Sequence, residues 1–172
     1  MEAMVVYETM FGNTGRIARA IADGLAMRPG VQVTLTDVVD APVDVPAHVD
    51  LIVAGGPTHA FSMSRESTRR SAVQQGAVDG HVERGIREWL QSLPSGTQAQ
   101  TFAAFDTRVD VPLLPGAASR RATRAARRLG FAAVPPESFL VRGYEGPIVA
   151  GEEERARDWG EHLAAEFATT GA

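Results

Sequence analysis

Thr9, Gly12, Asn13 and Thr14 are the residues whose types and spacing most clearly suit chemistry. They lie in the stretch Met4-Val5-Val6-Tyr7-Glu8-Thr9-Met10-Phe11-Gly12-Asn13-Thr14-Gly15-Arg16-Ile17-Ala18. An apolar run precedes them, and a helical pattern with Ile17, Ile21 and Leu25 on one face follows, so they fall between a buried strand and a helix. The first N–H groups of a helix have no intrahelical acceptor, the helix dipole is positive at that end, and a glycine lets the backbone wrap an oxyanion. An anion is therefore expected here, held by hydroxyls and backbone. A dinucleotide site would carry G-x-G-x-x-G after the strand, and a nucleoside triphosphate site would end its loop in Gly-Lys-Ser/Thr. Neither pattern is present, and the chain has no lysine.

Two further stretches end apolar runs in the same way. Val49-Asp50-Leu51-Ile52-Val53-Ala54 runs into Gly55-Gly56-Pro57-Thr58-His59-Ala60-Phe61, and Thr101-Phe102-Ala103-Ala104-Phe105 is closed by Asp106-Thr107-Arg108. Both runs are continuous enough for parallel strands covered on both faces. Val31–Leu35 alternates like an edge strand, and Phe131–Val134 with Ser138–Val141, separated by Pro135-Pro136, makes a two-part last strand.

Helical patterns occupy the intervals. One resumes near His81 with Val82, Ile86, Trp89, Leu90 and Leu93, one runs from about Ala117 to Leu129 after a loop with Pro112, Pro115 and Gly116, and one follows Glu152 with Ala156, Trp159, Leu163 and Phe167. The tail from Thr169 to Ala172 is expected to fray. Residues 62–80, rich in Ser, Arg, Gln and Gly, are expected to form a flexible lid or partner loop with one helical turn at most. Five strands alternating with helices predict an α/β fold, a five-stranded parallel sheet of order 2-1-3-4-5 with helices on both faces, in one domain over residues 1–172. Ligands of such sheets bind beyond the carboxyl ends of the strands where the strand order switches, which puts the three loops around one crevice.

Composition narrows the function classes. The 172 residues are 44% hydrophobic and 22% charged, values of a globular chain. A net charge of −4 gives no footprint for nucleic acid. The absence of cysteine excludes disulfides, thiolate catalysis and cysteine-ligated metal, and His48, His81 and His162 have no metal-ligand spacing. No apolar run approaches a membrane span and no leader pattern opens the chain, so a cytoplasmic protein is expected. Redox chemistry, if any, must come from a bound cofactor.

Thr9-x-x-Gly12-x-Thr14, with the other two loops in this chain order and the closing segment Glu137–Gly143 through Gly146-Pro147, resembles the flavodoxin family over nearly the whole chain. The resemblance implies a three-layer flavodoxin-like fold that binds flavin mononucleotide (FMN). It implies phosphate binding by Thr9, Met10, Phe11, Gly12, Asn13 and Thr14. Pro57, Thr58, His59, Ala60 and Phe61 would line one side of the isoalloxazine, and Phe105, Asp106, Thr107 and Arg108 would belong to the third loop at its pyrimidine edge. Phe11 departs from the hydroxyl residue found there in many members, and Arg16 could supply compensating charge. The third loop has no aromatic residue, which leaves His59 and Phe61 to stack on one side and Arg108 on the other.

The leading expectation from this resemblance is an electron-transfer protein working with a redox partner protein or a small electron acceptor such as a quinone, without catalytic residues of its own. Met10-Phe11-Gly12 and Gly56-Pro57-Thr58 also resemble the NAD(P)H:quinone reductases of the wider superfamily. A flavodoxin-fold interaction module that binds no flavin is the third alternative.

Overall fold

The computed structural model describes residues 1–77, 80–112 and 116–170. Pro115, residues 78–79 of the expected lid, and Gly171 and Ala172 of the tail lie outside the described residues. In chain order the elements are β1 (Glu2–Tyr7), α1 (Asn13–Ala26), β2 (Gln32–Asp37), β3 (Leu51–His59), β4 (Ser62–Met63), α2 (Glu66–Gln74), α3 (Ile86–Ser92), β5 (Thr101–Val109), α4 (Ala118–Leu129), β6 (Ala132–Ala133), β7 (Glu137–Val141) and α5 (Glu152–Thr170).

The sheet has the path β2-β1-β3-β5-β6, all parallel, with β7 also parallel to β5 and β4 antiparallel to β3. Seven strands thus stand where five were expected. Prolines 135 and 136, which have no N–H to give a ladder, split the last position into β6 beside Thr101–Phe102 and β7 beside Phe105–Val109. The added strand β4 arises because the chain turns back sharply at Ala60 and Phe61 and pairs with the end of β3.

Strand alternation sends successive side chains to opposite layers. Met4, Val6, Ile52, Ala54, Phe102 and Ala104 pack under α3 and α4, whereas Ala3, Val5, Leu51, Val53, Ala103 and Phe105 pack under α1 and α5. The stripe Ile17, Ile21 and Leu25 is fully buried, and so is Trp89, whose indole N–H donates to the Pro42 carbonyl at 2.9 Å.

Two sequence expectations are corrected here. The described part of the expected lid, residues 62–77 and 80, holds β4 and the nine-residue α2, because its polarity is partly interior. Arg69 is fully buried. Its guanidinium donates to the Val82 carbonyl at 2.7 Å and to Ser64 Oγ at 2.7 Å, and it pairs with Glu88 at 3.0 Å. The next helix begins at Ile86 and leaves Val82 outside it, since Gly85 is extended and its N–H is taken by the Glu88 carboxylate at 2.9 Å.

Candidate flavin crevice

At the carboxyl end of the sheet, between β1 and β3, lies an open, shallow crevice. One wall is the turn from β1 into α1. Gly12 caps α1 with φ 85°, a left-handed conformation that suits glycine, and no side chain caps the helix. The Gly12 N–H donates to Thr9 Oγ1 at 3.0 Å, which closes the turn. The first N–H groups of α1 are therefore left for an outside acceptor, at the positive end of a helix dipole.

Thr14 belongs to this first turn, and its hydroxyl lies 2.7 Å from that of Thr107 on β5. Asn13 donates through Nδ2 to the Glu145 carbonyl at 3.0 Å, which ties the turn to the loop after β7. That tie brings Tyr144, an aromatic residue 74% exposed, to the crevice. Arg16 does not supply charge to the turn. It is held in a two-pronged pair with Glu153, Nε at 3.1 Å and Nη2 at 2.7 Å.

The root of the turn is fixed from below by Glu8, which is buried. Its carboxylate accepts from the Ile86 N–H at 2.9 Å and from the Ser64 hydroxyl, and Ser64 is in turn held by Arg69. Burial pushes the Glu8 carboxyl above its ordinary value, while the bonds from Ser64 and Ile86 and the Arg69 charge oppose the shift. On the facing wall, His59 Nδ1 lies 3.2 Å from Thr68 Oγ1 of α2. Burial, and then the Arg69 charge, hold this imidazole below its ordinary value, so it is neutral near neutral pH.

The crevice brings together Thr9, Met10, Phe11, Asn13, Thr14, Pro57, Thr58, His59, Thr107 and Arg108 of the residues expected from sequence. Gly12 shapes the turn without lining the wall. Four expected residues lie elsewhere. Ala60 and Phe61 occupy the hairpin turn between β3 and β4 and face a separate groove. Phe105 and Asp106 are interior to β5, which runs on to Val109 instead of ending at Phe105. The Phe105 ring fills the notch at Gly55, where a Cβ would come within 2.5 Å of it. Asp106, on the opposite face, accepts the Ser119 N–H at 2.8 Å at the start of α4, next to the Ala118 N–H bond to Thr58 Oγ1 at 2.9 Å. Burial pushes the Asp106 carboxyl up from its ordinary value.

Sequence reasoning missed Val109, Val141, Gly143 and Tyr144, which also line the crevice. The run Arg142-Gly143-Tyr144-Glu145-Gly146 does hold one signal, an aromatic residue in a glycine-flanked loop with no apolar stripe to join.

The α/β layers, the parallel path with its switch between β1 and β3, and the anion-ready turn at that switch define a flavodoxin-like fold. A flavodoxin from the domain Archaea aligns with a TM-score of 0.67 at 20% identity, covering 98% of this chain and 99% of that one. Oxidised Flavodoxin 1 from Bacillus cereus aligns at 0.65 and 16% identity, with 98% of both chains covered. Rubredoxin oxygen:oxidoreductase from the anaerobe Desulfovibrio gigas aligns at 0.61 and 16% identity, over 99% of this chain and 37% of that one. No protein-family model matches the sequence, and no curated protein matches it. Among the described residues no helix is long and apolar enough to cross a membrane.

Proposed function

We propose that this protein binds FMN in the crevice and serves as an electron-transfer flavoprotein. The observation that carries the proposal is the α1 N-terminus, left uncapped by any side chain and opening among Thr9, Asn13 and Thr14 into a crevice that also has aromatic walls. The donor set suits a phosphate monoester: hydroxyls and backbone N–H groups, with the nearest helix arginine committed to Glu153. Tyr144 and Phe11, with Pro57 and His59 opposite, supply flat or apolar surface for an aromatic ring system.

When bound, FMN would supply the electron-accepting and electron-donating chemistry. The chain would hold the phosphate, orient the ring between Tyr144 and His59, and limit access of water. Electrons would pass to a redox partner protein or to a small acceptor. A reductase acting on quinones is the second reading, favoured by one observation: a neutral imidazole, His59, on the crevice wall.

Titration of the purified protein with FMN and with riboflavin tests the proposal. Quenching of FMN fluorescence with much weaker uptake of riboflavin is the expected result, because riboflavin lacks the phosphate. Protein that takes up neither would overturn it. Steady turnover of NAD(P)H with a quinone by the loaded protein would select the reductase reading over the carrier.

A further inference from the structure

Beside the crevice, across the β3–β4 hairpin, runs an open groove between that hairpin, α3 and α4. Arg65, Arg87, Arg121, Arg124 and Arg128 line it, and among the described residues no Asp or Glu does. Arg87 is pinned by its own bonds to the Ser64 and Met63 carbonyls, at 2.9 and 2.7 Å. Burial, and then the neighbouring Arg65 charge, lower its pKa. Arg65, Arg121, Arg124 and Arg128 are exposed, and none has a side-chain hydrogen bond or ion pair with another described residue. Arg121, Arg124 and Arg128 stand three and four positions apart, on one face of α4.

Phe61 sets the rim. It is 50% exposed and has φ 64°, following Ala60 at φ 46°. Two-residue hairpin turns with positive φ at both positions favour Asn-Gly, and a bulky residue there is strained. Phe61 is absent from the buried core, so core packing does not account for that strain.

We propose that this groove docks an acidic segment of a partner protein, with Phe61 as its apolar anchor. Like charges gathered without counterions call for an anionic occupant, and arginine with an exposed aromatic residue is the composition of interface hot spots. Concavity argues against a flat lipid surface, and openness against a small phosphate ligand, which pockets bury over most of its area. The hairpin is shared, since His59 lines the crevice and Phe61 lines the groove. Docking here would bring a partner to the edge of the crevice, yet the proposal stands without flavin.

The test uses the full chain without flavin and a fluorescein-labelled acidic peptide of Asp and Glu with interspersed Leu, read by anisotropy at low and at physiological salt. Binding that weakens steeply with salt is expected. The Arg121→Glu/Arg124→Glu variant should lose about tenfold or more in affinity, and Phe61→Ala several-fold. An Arg19→Glu/Arg157→Glu variant, reversed at exposed positions outside the groove, should bind as the parent does. Circular dichroism confirms that each variant is folded. Absence of peptide binding at low salt, or equal loss in the control variant, overturns the proposal. So does tighter, groove-dependent binding of ATP or of phosphatidylserine vesicles than of the peptide.

Discussion

The hydroxyls of Thr14, in the first turn of α1, and Thr107, near the end of β5, lie 2.7 Å apart and are both buried. Each hydroxyl has one hydrogen, and the contact between them uses only one. The other remains for a crevice ligand, so the pair is both a clasp between two walls and a donor. Replacing Thr14 by Val removes one hydroxyl of the pair, and with it the clasp to Thr107, while keeping the shape. The expected result is FMN binding weakened by about tenfold, as for loss of one hydrogen bond to a charged group, with riboflavin binding changed much less. Equal losses for the two ligands would show that Thr14 shapes the turn without touching phosphate.

Tyr144 reaches the crevice through the bond from Asn13 to the Glu145 carbonyl. If its ring covers the flavin, Tyr144→Ala should weaken FMN binding by about 1 kcal/mol and leave the bound flavin brighter. Tyr144→Phe should retain both affinity and quenching, because the face of the ring and not its hydroxyl makes the contact. Fluorescence titration of the two variants distinguishes a stacking residue from a bystander.

The strand, turn and helix around Thr9–Thr14 were legible because their signals are local: an apolar run, a glycine at a left-handed position and a helical stripe. The order of the three strand ends could be read for the same reason. Tyr144 could not, because its place depends on the register of β7 beside β5 and on a bond to Asn13, 132 positions away from Glu145. Arg69 defeats the rule that charge lies outside, since Glu88 offsets its charge and Ser64 and the Val82 carbonyl take hydrogen bonds from it in the interior. Asp, Thr and Arg after the apolar run read as a loop that takes in Phe105 and Asp106, whereas β5 simply continues with Asp106 facing α4.

Gly55 and Phe105 face each other in register on β3 and β5, and the missing Cβ of the glycine is the space the ring fills. Gly55→Ala should therefore overpack a fully buried site, at a cost of about 1–3 kcal/mol. Urea denaturation should show a lower midpoint with an unchanged slope. A Gly55→Ala/Phe105→Leu double variant should recover little of the loss, because the added Cβ also comes within 2.5 Å of the Phe105 carbonyl oxygen, which the smaller side chain leaves in place. A single variant as stable as the parent would mean that the strands part easily at this position, contrary to their tight pairing.

His59 carries the pH dependence that is specific to the crevice. Burial, then the Arg69 charge, hold its pKa below the ordinary 6.5 in the folded chain. Between the folded value and 6.5 the unfolded chain binds more protons, so stability rises with pH through that window and is lost as pH falls below 6.5. Glu8 acts in the opposite sense: its carboxyl is raised above 4.5, so its contribution is present below 4.5 and lost as pH rises toward the folded value. Comparing the parent with His59→Gln separates the two, because Gln can keep a bond to Thr68 but does not titrate. The difference in unfolding free energy, parent minus variant, should be constant well above pH 6.5 and fall as pH drops below 6.5 toward the folded value. A difference that stays flat across this range would mean that the imidazole is as free to protonate in the crevice as in the unfolded chain, and the half-buried, neutral His59 would have to be abandoned.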